Sequence, residues 1–413
     1  MAQPLLSYAE AAVAIRDFIT ARSSAEGTRR RPQLVLLSDA LGRVPAEALR
    51  ADRDQPPFPR STRDGYACRA VDANTHQFLS LTGHVRAGET APGTVGPGEV
   101  WEIMTGAAVP NGADAVFMLE HVGHSSNSVQ LLPPRTIEPG ENIVARGAEA
   151  RSGDLLLAEG ARITPAQIAL AAQCGYCRLA VAPRPTVAIL STGDELVSVE
   201  ETPGPNQIRN SNAPMLVALV AAAGGEAISL PAIPDQAYAL DEALRRAMDA
   251  DLLLVSGGIS AGRFDLVDEA LARAGARFIF RGVAIQPGKP VAFGELPRSG
   301  QPSLPFLALP GNPVSSAVTF HLFAAPLLAG LSHDSTSMPR FGLATLSTPW
   351  RGKPGLTRFL PALCDFSLAP KVRLVPWQGS GDIAAFSRSN CFAVIPSDAQ
   401  EVAADRIVQI LLT

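Results

Sequence analysis

The pattern of apolar and polar positions changes character several times along the 413-residue chain. Near the start, apolar positions recur at helical spacing and predict an amphipathic helix over Ser7–Arg22. From about Ala51 to Glu149, prolines and glycines recur every few residues and the apolar runs are short. These runs lie at Gln77–Leu81, Val100–Met104, Ala115–Leu119 and Ser128–Leu132. Such a pattern predicts an all-β module built mainly from antiparallel strands.

The stretch 181–331 alternates strand-like and helix-like segments. Strand-like apolar runs occur at Val187–Leu190, Ala227–Leu230, Leu252–Val255, Phe278–Phe280 and Phe306–Leu309. Helix-like stretches lie between or after them, at Met215–Ala223, Leu240–Ala250, Leu266–Ala274 and Ser315–Leu328. This alternation predicts an α/β domain in which helices cover both faces of a mostly parallel, doubly wound sheet. A ligand site is then expected beyond the carboxyl ends of the strands.

The segment from Met338 onward returns to short strand-like runs separated by proline, glycine and serine. These runs predict a small β-barrel or β-sandwich. The chain is also too long for a single hydrophobic core, and about three or four domains are expected at its length. The predicted fold class is therefore a multidomain α/β plus β protein.

One stretch within the α/β region, Asp251–Ala276, has the form of a phosphate-binding loop. A short buried strand leads into a loop with little side-chain bulk, and Asp265 can cap the helix that follows. Small residues let backbone N–H groups approach an anion at the start of a helix. An ordinary tight strand-to-helix turn would have the same features, so both interpretations stay open at this point. The small residues of the loop are Ser256, Gly257, Gly258, Ser260 and Gly262.

Three further polar loops follow apolar runs and are expected at the same edge of a parallel sheet. They are Ser191–Leu196, Gln286–Pro290 and Pro310–Ser316. Together they would supply N–H-rich turns, one lysine and several carboxylates. Carboxylates beside a phosphate repel it unless a divalent cation lies between them, so Glu195 and Asp265 are candidate magnesium ligands.

Two shorter motifs in the β-rich module are interpreted as turns when each is taken alone. Asp64 ends a proline-rich approach, and Thr105 lies in the stretch Met104–Pro110. The six histidines show no metal-ligand spacing and no arrangement with a nucleophile. Zinc sites and hydrolase triads therefore have no support in the sequence.

Composition and charge argue against several functional classes. A net charge of −4 and an isoelectric point near 5.9 are not typical of a nucleic-acid-binding protein. The longest apolar stretch, Ala317–Leu331, is predicted to be too short to cross a bilayer, and we expect no signal peptide because no apolar segment follows a basic start. Five scattered cysteines are typical of reduced cytoplasmic thiols, and Cys174 and Cys177 are predicted to be small core residues.

Taken in order, seven stretches of the chain resemble the MoeA family of molybdopterin molybdenumtransferases, which includes the E domain of gephyrin. The stretches span nearly the whole chain in the family's order, so their combination is specific where any single one is not. They are PPFPRSTRDGYA, MTGAAVP, STGDEL, NQIRNSN, SGGISAG followed by Asp265, QPGKPVAFG and LPGNPVSS.

The resemblance implies an architecture of four domains. Residues 1–50 and 150–180 would form a helical linker domain, and residues 51–149 an inserted β-rich domain. Residues 181–331 would form a three-layer α/β/α molybdopterin-binding domain, and residues 332–413 the C-terminal β domain. The resemblance further implies a homodimer, in which the β-rich domain of the partner subunit completes the active cleft.

The resemblance also implies a reaction and the residues that perform it. Molybdate would be inserted into the dithiolene of adenylylated molybdopterin, with Mg²⁺-dependent pyrophosphate cleavage and release of AMP, to give the molybdenum cofactor. The implied partners are molybdopterin adenylyltransferase and the molybdoenzymes that accept the cofactor, with no nucleic acid and no membrane. The implied catalytic residues are Asp64, Thr105, Glu195, Asp235 and Asp265, with Glu195 and Asp265 at the metal. The implied substrate-binding residues are Ser256, Gly257, Gly258, Ser260, Gly262, Lys289, Pro310, Gly311, Asn312, Ser315 and Ser380.

Several positions depart from the family pattern and keep other functions open. Gln286 replaces the first lysine of the usual KPGKP, and Leu356 and Pro361 replace two arginines, one of which Arg358 could substitute. Loss of cationic donors is expected to weaken molybdate capture. One alternative is a catalytically weakened paralogue that binds the cofactor as a scaffold. Another is a molybdopterin adenylyltransferase, which shares the α/β domain but lacks the flanking β modules.

Overall fold

The computed structural model describes residues 5–23, 31–90, 93–258, 266–334 and 338–413. Within these residues, three six-stranded sheets organise the β-rich, central and C-terminal regions of the chain. Together with the helices that cover the central sheet, they confirm the predicted multidomain α/β plus β fold.

The β-rich region contains a sheet in which only one neighbouring pair of strands, Leu79–Val85 and Glu99–Ile103, is parallel. Alternate residues of the sheet face two separate apolar cores, one around Phe117 and the other around Val116. The prediction of a mainly antiparallel module is therefore confirmed. In spatial order the strands are Ala115–Met118, Gly65–Cys68, Glu99–Ile103, Leu79–Val85, Ser128–Leu131 and Val122–Ser125, with short helices at Ala70–Ala73 and Leu119–His121.

Chain segments on either side of this module pair with each other. Gln33–Leu36 pairs antiparallel with Arg178–Val181, Leu49–Arg50 pairs with Leu155–Leu157, and Arg60–Ser61 pairs with Ile143–Val144. Helix Pro165–Gln173, which begins with a capping box at Thr164, and the short helix Leu37–Asp39 complete this region. The residue boundaries of the domains stay a prediction.

The cysteine pair of this region behaves differently from the prediction. Cys174 is buried as expected, but Cys177 is exposed. It lies in the turn between helix Pro165–Gln173 and the following strand, where the chain runs along the surface. The prediction that both cysteines are core residues was therefore wrong for Cys177.

The central sheet has six strands, numbered here in chain order, in the spatial order β2-β1-β3-β6-β5-β4. Strands β2, β1, β3 and β6 are parallel, whereas β5 runs antiparallel to both β6 and β4. The mostly parallel prediction is confirmed, but it did not include strand β5 or the reversal at this edge. The strands are β1 Thr186–Ser191, β2 Glu226–Ser229, β3 Leu252–Ser256, β4 Arg277–Arg281, β5 Ala292–Leu296 and β6 Leu304–Leu309.

Apolar residues on both faces of this sheet are buried under helices, as the continuous apolar runs predict. Ile189 and Leu254 belong to the core on one face, while their neighbours Leu190 and Val255 belong to the core on the other. The helices are Asn212–Ala222, Ala237–Ala247, Leu266–Arg273 and the continuous stretch Pro313–Leu331. The N-terminal helix Tyr8–Ser23 packs here as well, since Ala11 and Ile15 are buried in the first of these cores.

The long apolar helix consists of Pro313–Thr319, a π-helical turn at Phe320–Ala324, and Ala325–Leu331. The sequence predicts an apolar stretch too short to cross a bilayer, but the helix has 19 residues and meets the length and composition for a membrane span. Within its most apolar window, however, 78% of the residues are buried inside the protein. Burial in the core accounts for its apolar composition.

The C-terminal region is a closed five-stranded barrel, because strand Thr357–Cys364, at one end of the strand order, also pairs with Cys391–Ile395 at the other end. Of the two predicted alternatives, a β-barrel and a β-sandwich, the barrel is therefore correct. The barrel is joined to the central domain by the short strand Ile285–Gln286, which pairs parallel with Thr357–Arg358. Its strands are Phe341–Leu346, Thr357–Cys364, Lys371–Leu374, Cys391–Ile395 and Ile407–Leu412, with a short pair at Trp350–Arg351 and Glu401–Val402 and a helix at Ile383–Phe386.

Candidate functional site

Four loops meet at one edge of the central sheet. Strands β1, β3 and β6 are parallel and end there, and the antiparallel strand β5 begins there, directly after the loop that holds Lys289. The Thr192 N–H donates to the Ser256 carbonyl at 3.0 Å, and the Gly257 N–H donates to the Leu309 carbonyl at 3.2 Å. The structure therefore brings together the loops that were predicted to share an edge, although one arrives through an antiparallel strand.

The loop after β3 can only be built with glycine at its first two turn positions. Gly257 and Gly258 have φ values of +96° and +65°. A Cβ at position 257 would lie 2.6 Å from the Thr192 carbonyl oxygen, and one at position 258 would collide with Val267. The backbone is thus packed tightly against its surroundings with no side chain in between. Ser260, Gly262 and Asp265, predicted in the same loop, lie outside the described residues.

Asn212 connects the loop after β3 with the loop after β6. Its Nδ2 donates to Ser256 Oγ at 2.8 Å and to the Gly311 carbonyl at 2.7 Å. Asn212 and Ser256 are 9% and 2% exposed, so these hydrogen bonds are shielded from water. The sequence prediction did not include Asn212 among the site residues. The signal was present, because Asn212 ends the NQIRNSN stretch that carries part of the resemblance.

Three buried polar atoms without a hydrogen-bond partner gather at this edge. They are Ser191 Oγ, Thr192 Oγ1 and Asn212 Oδ1, and the described part of the chain contains only two others, in Gln55 and Trp101. Thr192 Oγ1 would lie 2.9 Å from a Cβ at Gly258, so it is directly against the glycine loop. Buried polar atoms normally have partners, and exceptions call for a functional explanation. Neither Ser191 nor Thr192 was among the predicted site residues.

Three carboxylates lie beside the end of β1. The Asp235 N–H donates to Asp194 Oδ1 at 3.0 Å, and the Glu195 carboxylate folds over Gly193, where a Cβ would be 2.5 Å from Glu195 Oε2. Partial burial, followed by the negative charges of Asp194 and Glu195, raises the pKa of Asp235. Among the described residues no group of three or more histidine, cysteine or carboxylate side chains is arranged to hold a metal ion. The predicted metal ligand Glu195 and the predicted catalytic residue Asp235 are close to each other without forming a closed protein cage, and the second predicted ligand, Asp265, lies outside the described residues.

The start of helix Pro313–Leu331 contacts the C-terminal barrel. Asn312 Nδ2 donates to Ser380 Oγ at 2.8 Å, and the Val314 N–H donates to the Ser380 carbonyl at 3.0 Å. Ser315, in the first turn of the helix, is buried. The structure thus brings Asn312 and Ser380 into contact at one helix start, although Ser380 comes from a different domain.

Among the residues that the structure describes, cationic groups are sparse at this edge. Lys289 is exposed, and Gln286 is held in the short strand that pairs with the barrel. Arg358, considered as a substitute for a missing arginine, is 8% exposed, and its guanidinium donates to the carbonyls of Leu356 and Lys353. Its guanidinium also lies 5.0 Å from the Trp350 ring. These contacts occupy Arg358 within the barrel, so the structure does not support it as a substitute.

Asp64 and Thr105 form a pair of their own in the β-rich module. The Thr105 N–H donates to Asp64 Oδ1 at 2.6 Å. Hydrogen bonds from the Thr105 backbone and then its side chain lower the pKa of Asp64, although both residues are exposed. The structure therefore brings these two predicted residues together in a module separate from the central sheet.

Three family models match the chain. They are the MoeA N-terminal region (domain I and II) over residues 6–175, a probable molybdopterin binding domain over residues 188–330, and the MoeA C-terminal region (domain IV) over residues 344–413.

Curated relatives and solved structures are similar along nearly the whole chain. A molybdopterin molybdenumtransferase of Bacillus subtilis is 33% identical over 395 residues, covering 92% of this chain and 89% of that protein. One from Staphylococcus aureus is 32% identical over 390 residues, covering 92% and 90%. The crystal structure of a molybdopterin biosynthesis moeA protein from Pyrococcus horikoshii has a TM-score of 0.81 at 27% identity, covering 99% of this chain and 100% of that one.

Proposed function

We propose, from the premise that the chain belongs to the MoeA family, that it is a molybdopterin molybdenumtransferase acting in molybdenum cofactor biosynthesis. In the proposed reaction molybdate enters the dithiolene of adenylylated molybdopterin, the pyrophosphate linkage is hydrolysed, and AMP leaves. The observation that carries this proposal is the meeting of four loops at one edge of the central sheet, where glycine backbone, a helix start, a lysine and carboxylates lie together.

Each part of this edge suits one part of the substrate. The loop at Gly257 and Gly258, whose packing against Thr192 and Val267 leaves no room for a side chain, would present backbone to the pterin-linked phosphate. Lys289 supplies positive charge for molybdate, while Ser315 and Ser380 would supply hydroxyl donors from the helix start and from the barrel. Fixed donors of this kind stabilise the charge that develops on a phosphoryl group during cleavage.

Magnesium fits the chemistry of the acidic group. The raised pKa of Asp235 reflects repulsion from Asp194 and Glu195 in addition to burial, and a divalent cation would relieve that repulsion. Mg²⁺ is commonly held by one or two carboxylates together with substrate phosphates, which does not require a closed protein cage. We propose that Glu195 and Asp265 hold the ion, with Asp235 beside them. Bound there, Mg²⁺ would act as a Lewis acid on the pyrophosphate.

Asp64 and Thr105 are proposed to act on the cleft of a second subunit. They form an exposed pair on a separate module, which suits a group that reaches across a dimer interface. We further propose that molybdopterin adenylyltransferase supplies the substrate and that molybdoenzymes accept the product. All five cysteines are free thiols, in keeping with a proposed cytoplasmic location.

One observation favours the weakened-paralogue alternative. Gln286, Leu356 and Pro361 lack positive charge, and Arg358 is engaged within the barrel rather than at the sheet edge. With fewer cationic donors, molybdate capture would be weak while pterin binding could persist. This alternative predicts a cofactor-binding protein with little turnover.

Reconstitution with purified components distinguishes the two functions. The protein is mixed with adenylylated molybdopterin, molybdate and Mg²⁺, and AMP is measured against a reaction without molybdate. The transferase proposal expects molybdate-dependent AMP release, and the variant Gln286→Lys should then lower the KM for molybdate about two- to fivefold. Bound pterin without AMP release, in both wild type and Gln286→Lys, would instead establish the scaffold function.

A further inference from the structure

The loops after β3 and β6 are held together at the point where they are closest. The Gly257 N–H donates to the Leu309 carbonyl at 3.2 Å, and a Cβ at Gly311 would lie only 3.5 Å from the Gly257 Cα, so the two loops approach each other closely. Asn212, the first residue of helix Asn212–Ala222, lies behind this contact and donates one hydrogen bond to each loop. A single buried amide therefore bridges the two loops that face the proposed substrate, in addition to the backbone hydrogen bond between Gly257 and Leu309.

Each of these hydrogen bonds also fixes the direction of another donor. Ser256 Oγ accepts from Asn212, so the Ser256 hydroxyl hydrogen is left to donate elsewhere. The Gly311 carbonyl points toward Asn212. The N–H of Asn312 belongs to the same trans peptide and points the opposite way, away from Asn212. Asn212 thus acts through its neighbours.

The unpartnered atoms at this edge indicate that the arrangement is built for a ligand. Asn212 Oδ1 and Thr192 Oγ1 are buried without hydrogen-bond partners, and Thr192 Oγ1 lies against Gly258. A buried polar atom without a hydrogen-bond partner destabilises a protein. If the contact between the loops were purely structural, these atoms would be expected to have partners within the protein. The position of the unpartnered Thr192 Oγ1 against the glycine loop favours a role in binding.

We propose that Asn212 is a positioning residue that aligns the two anion-binding loops for the phosphate-bearing substrate. The proposal rests on the proposed function for the identity of that substrate, but the alignment itself concerns the anion site. Asn212 touches neither phosphate nor metal in this proposal. It sets the distance between the loops and the directions of the Ser256 hydroxyl and the Asn312 N–H.

Two variants at this position separate alignment from folding. Asn212→Ala removes both donors, and we expect the Kd for molybdopterin and the KM for its adenylylated form to rise about ten- to thirtyfold, with kcat changed less than about threefold. Asn212→Asp keeps the shape but loses the amide donors. The ionised carboxylate of this variant would also repel phosphate, whereas its protonated form can still donate one hydrogen bond. The affinity of Asn212→Asp for molybdopterin should therefore recover as the pH is lowered from 8 to 5.5. Asn212→Ala should show no such recovery.

Asn210→Ala is the matched control. Asn210 is buried and precedes the same helix, but its Oδ1 accepts from the Ala213 N–H rather than bonding to either loop. This variant should lower the melting temperature, because it removes a cap at the helix start, and leave the Kd for molybdopterin within about twofold of wild type.

Inorganic pyrophosphate, titrated in parallel by calorimetry, separates failure of this inference from failure of the proposed function. Weaker pyrophosphate binding in both Asn212 variants, but not in Asn210→Ala, supports alignment even if wild type does not bind molybdopterin or release AMP. Equal affinities across all four proteins would overturn it. A wild-type protein that binds neither pyrophosphate nor molybdopterin would overturn both proposals.

Discussion

The edge of the central sheet and the Asp64–Thr105 pair both belong to the proposed site, yet they are built in opposite ways. At the sheet edge Ser256, Gly257 and Asn212 are buried and tied to neighbouring loops, while Lys289 and Glu195 beside them are exposed. Asp64 is exposed and held by one neighbour, Thr105. The first arrangement is suited to binding and alignment, and the second to a group that enters a cleft from outside.

The largest effect should come from adding a methyl group at the sheet edge. In Gly257→Ala the new Cβ would lie 2.6 Å from the Thr192 carbonyl oxygen at a φ of +96°, so the loop must move. We expect molybdopterin binding, measured by equilibrium dialysis, to weaken at least about a hundredfold, because small displacements at a site are costly. Gly153→Ala is the control, since Gly153 has a φ of +87° with no heavy atom within 4 Å of the added Cβ. Comparable loss of binding in both variants would mean that backbone strain alone, and not loop displacement, is responsible.

A smaller and different effect is expected at Asp64. Asp64→Ala should lower the rate of AMP release about ten- to a hundredfold and leave both the Kd for molybdopterin and the melting temperature near wild type, because the side chain is exposed. Asp365→Ala is the control, since Asp365 is an exposed carboxylate that also accepts backbone hydrogen bonds, from Ser367 and Lys371. If Asp64→Ala weakened molybdopterin binding as strongly as Gly257→Ala, the two regions would not have separate roles.

The pH dependence of the two regions should also differ. The Thr105 hydrogen bonds lower the pKa of Asp64, so this carboxylate stays ionised below its ordinary range, and its contribution to stability is lost only as the pH falls through the lowered pKa. Asp235 has a raised pKa, so its effect has the opposite sign. The contribution of Asp235 to the free energy of unfolding is fully present below the pKa that this carboxyl has in the unfolded chain. It is lost as the pH rises through the raised pKa of the folded state.

The smallest expected effect is a shift in the titration of Asp235. Asp194→Asn removes one of the two negative charges that raise the pKa of Asp235, and the pKa should fall by less than about one unit, because burial is the larger cause. Carboxyl NMR titration measures it directly. Asp241→Asn, which alters a carboxylate paired with Arg273, should leave the Asp235 titration unchanged. A rise in the Asp235 pKa in Asp194→Asn would contradict the electrostatic explanation.

The sequence predicted those features of the fold that depend on periodic apolar runs. The buried parallel strands and the glycine loop were visible because each is a short continuous pattern in the chain. Strand β5 was missed, since Gly294 interrupts its apolar run and its antiparallel direction depends on a long-range pairing with β6. The choice between barrel and sandwich likewise depends on the pairing of Thr357–Cys364 with Cys391–Ile395, which no local pattern encodes.

A residue that acts through its own chemistry can be proposed from the sequence, whereas one that acts through contacts cannot, and the roles of the site residues stay predictions. Asp64 and Thr105, far apart in sequence, were placed together by resemblance and are hydrogen-bonded in the structure. Asn212 lies in a stretch that carries part of the resemblance, but its role depends on two hydrogen bonds to residues 44 and 99 positions away, which no local pattern shows. The hydrogen bonds of Arg358 are local, to the carbonyls of Leu356 and Lys353, but the residue types alone do not show that they form.

The core shared by the central domain and the barrel has a consequence for how the protein loses its structure. Ile15 of the N-terminal helix, Leu254 of the central sheet and Phe359 of the barrel are buried in one continuous cluster. The β-rich module has its own clusters, around Phe117 and Val116. Elements whose side chains are buried in one shared core are expected to unfold together. The N-terminal helix, sheet and barrel should therefore melt as one unit, so that the loop at Gly257 and Ser380 are lost together, while the module that holds Asp64 can unfold independently of them.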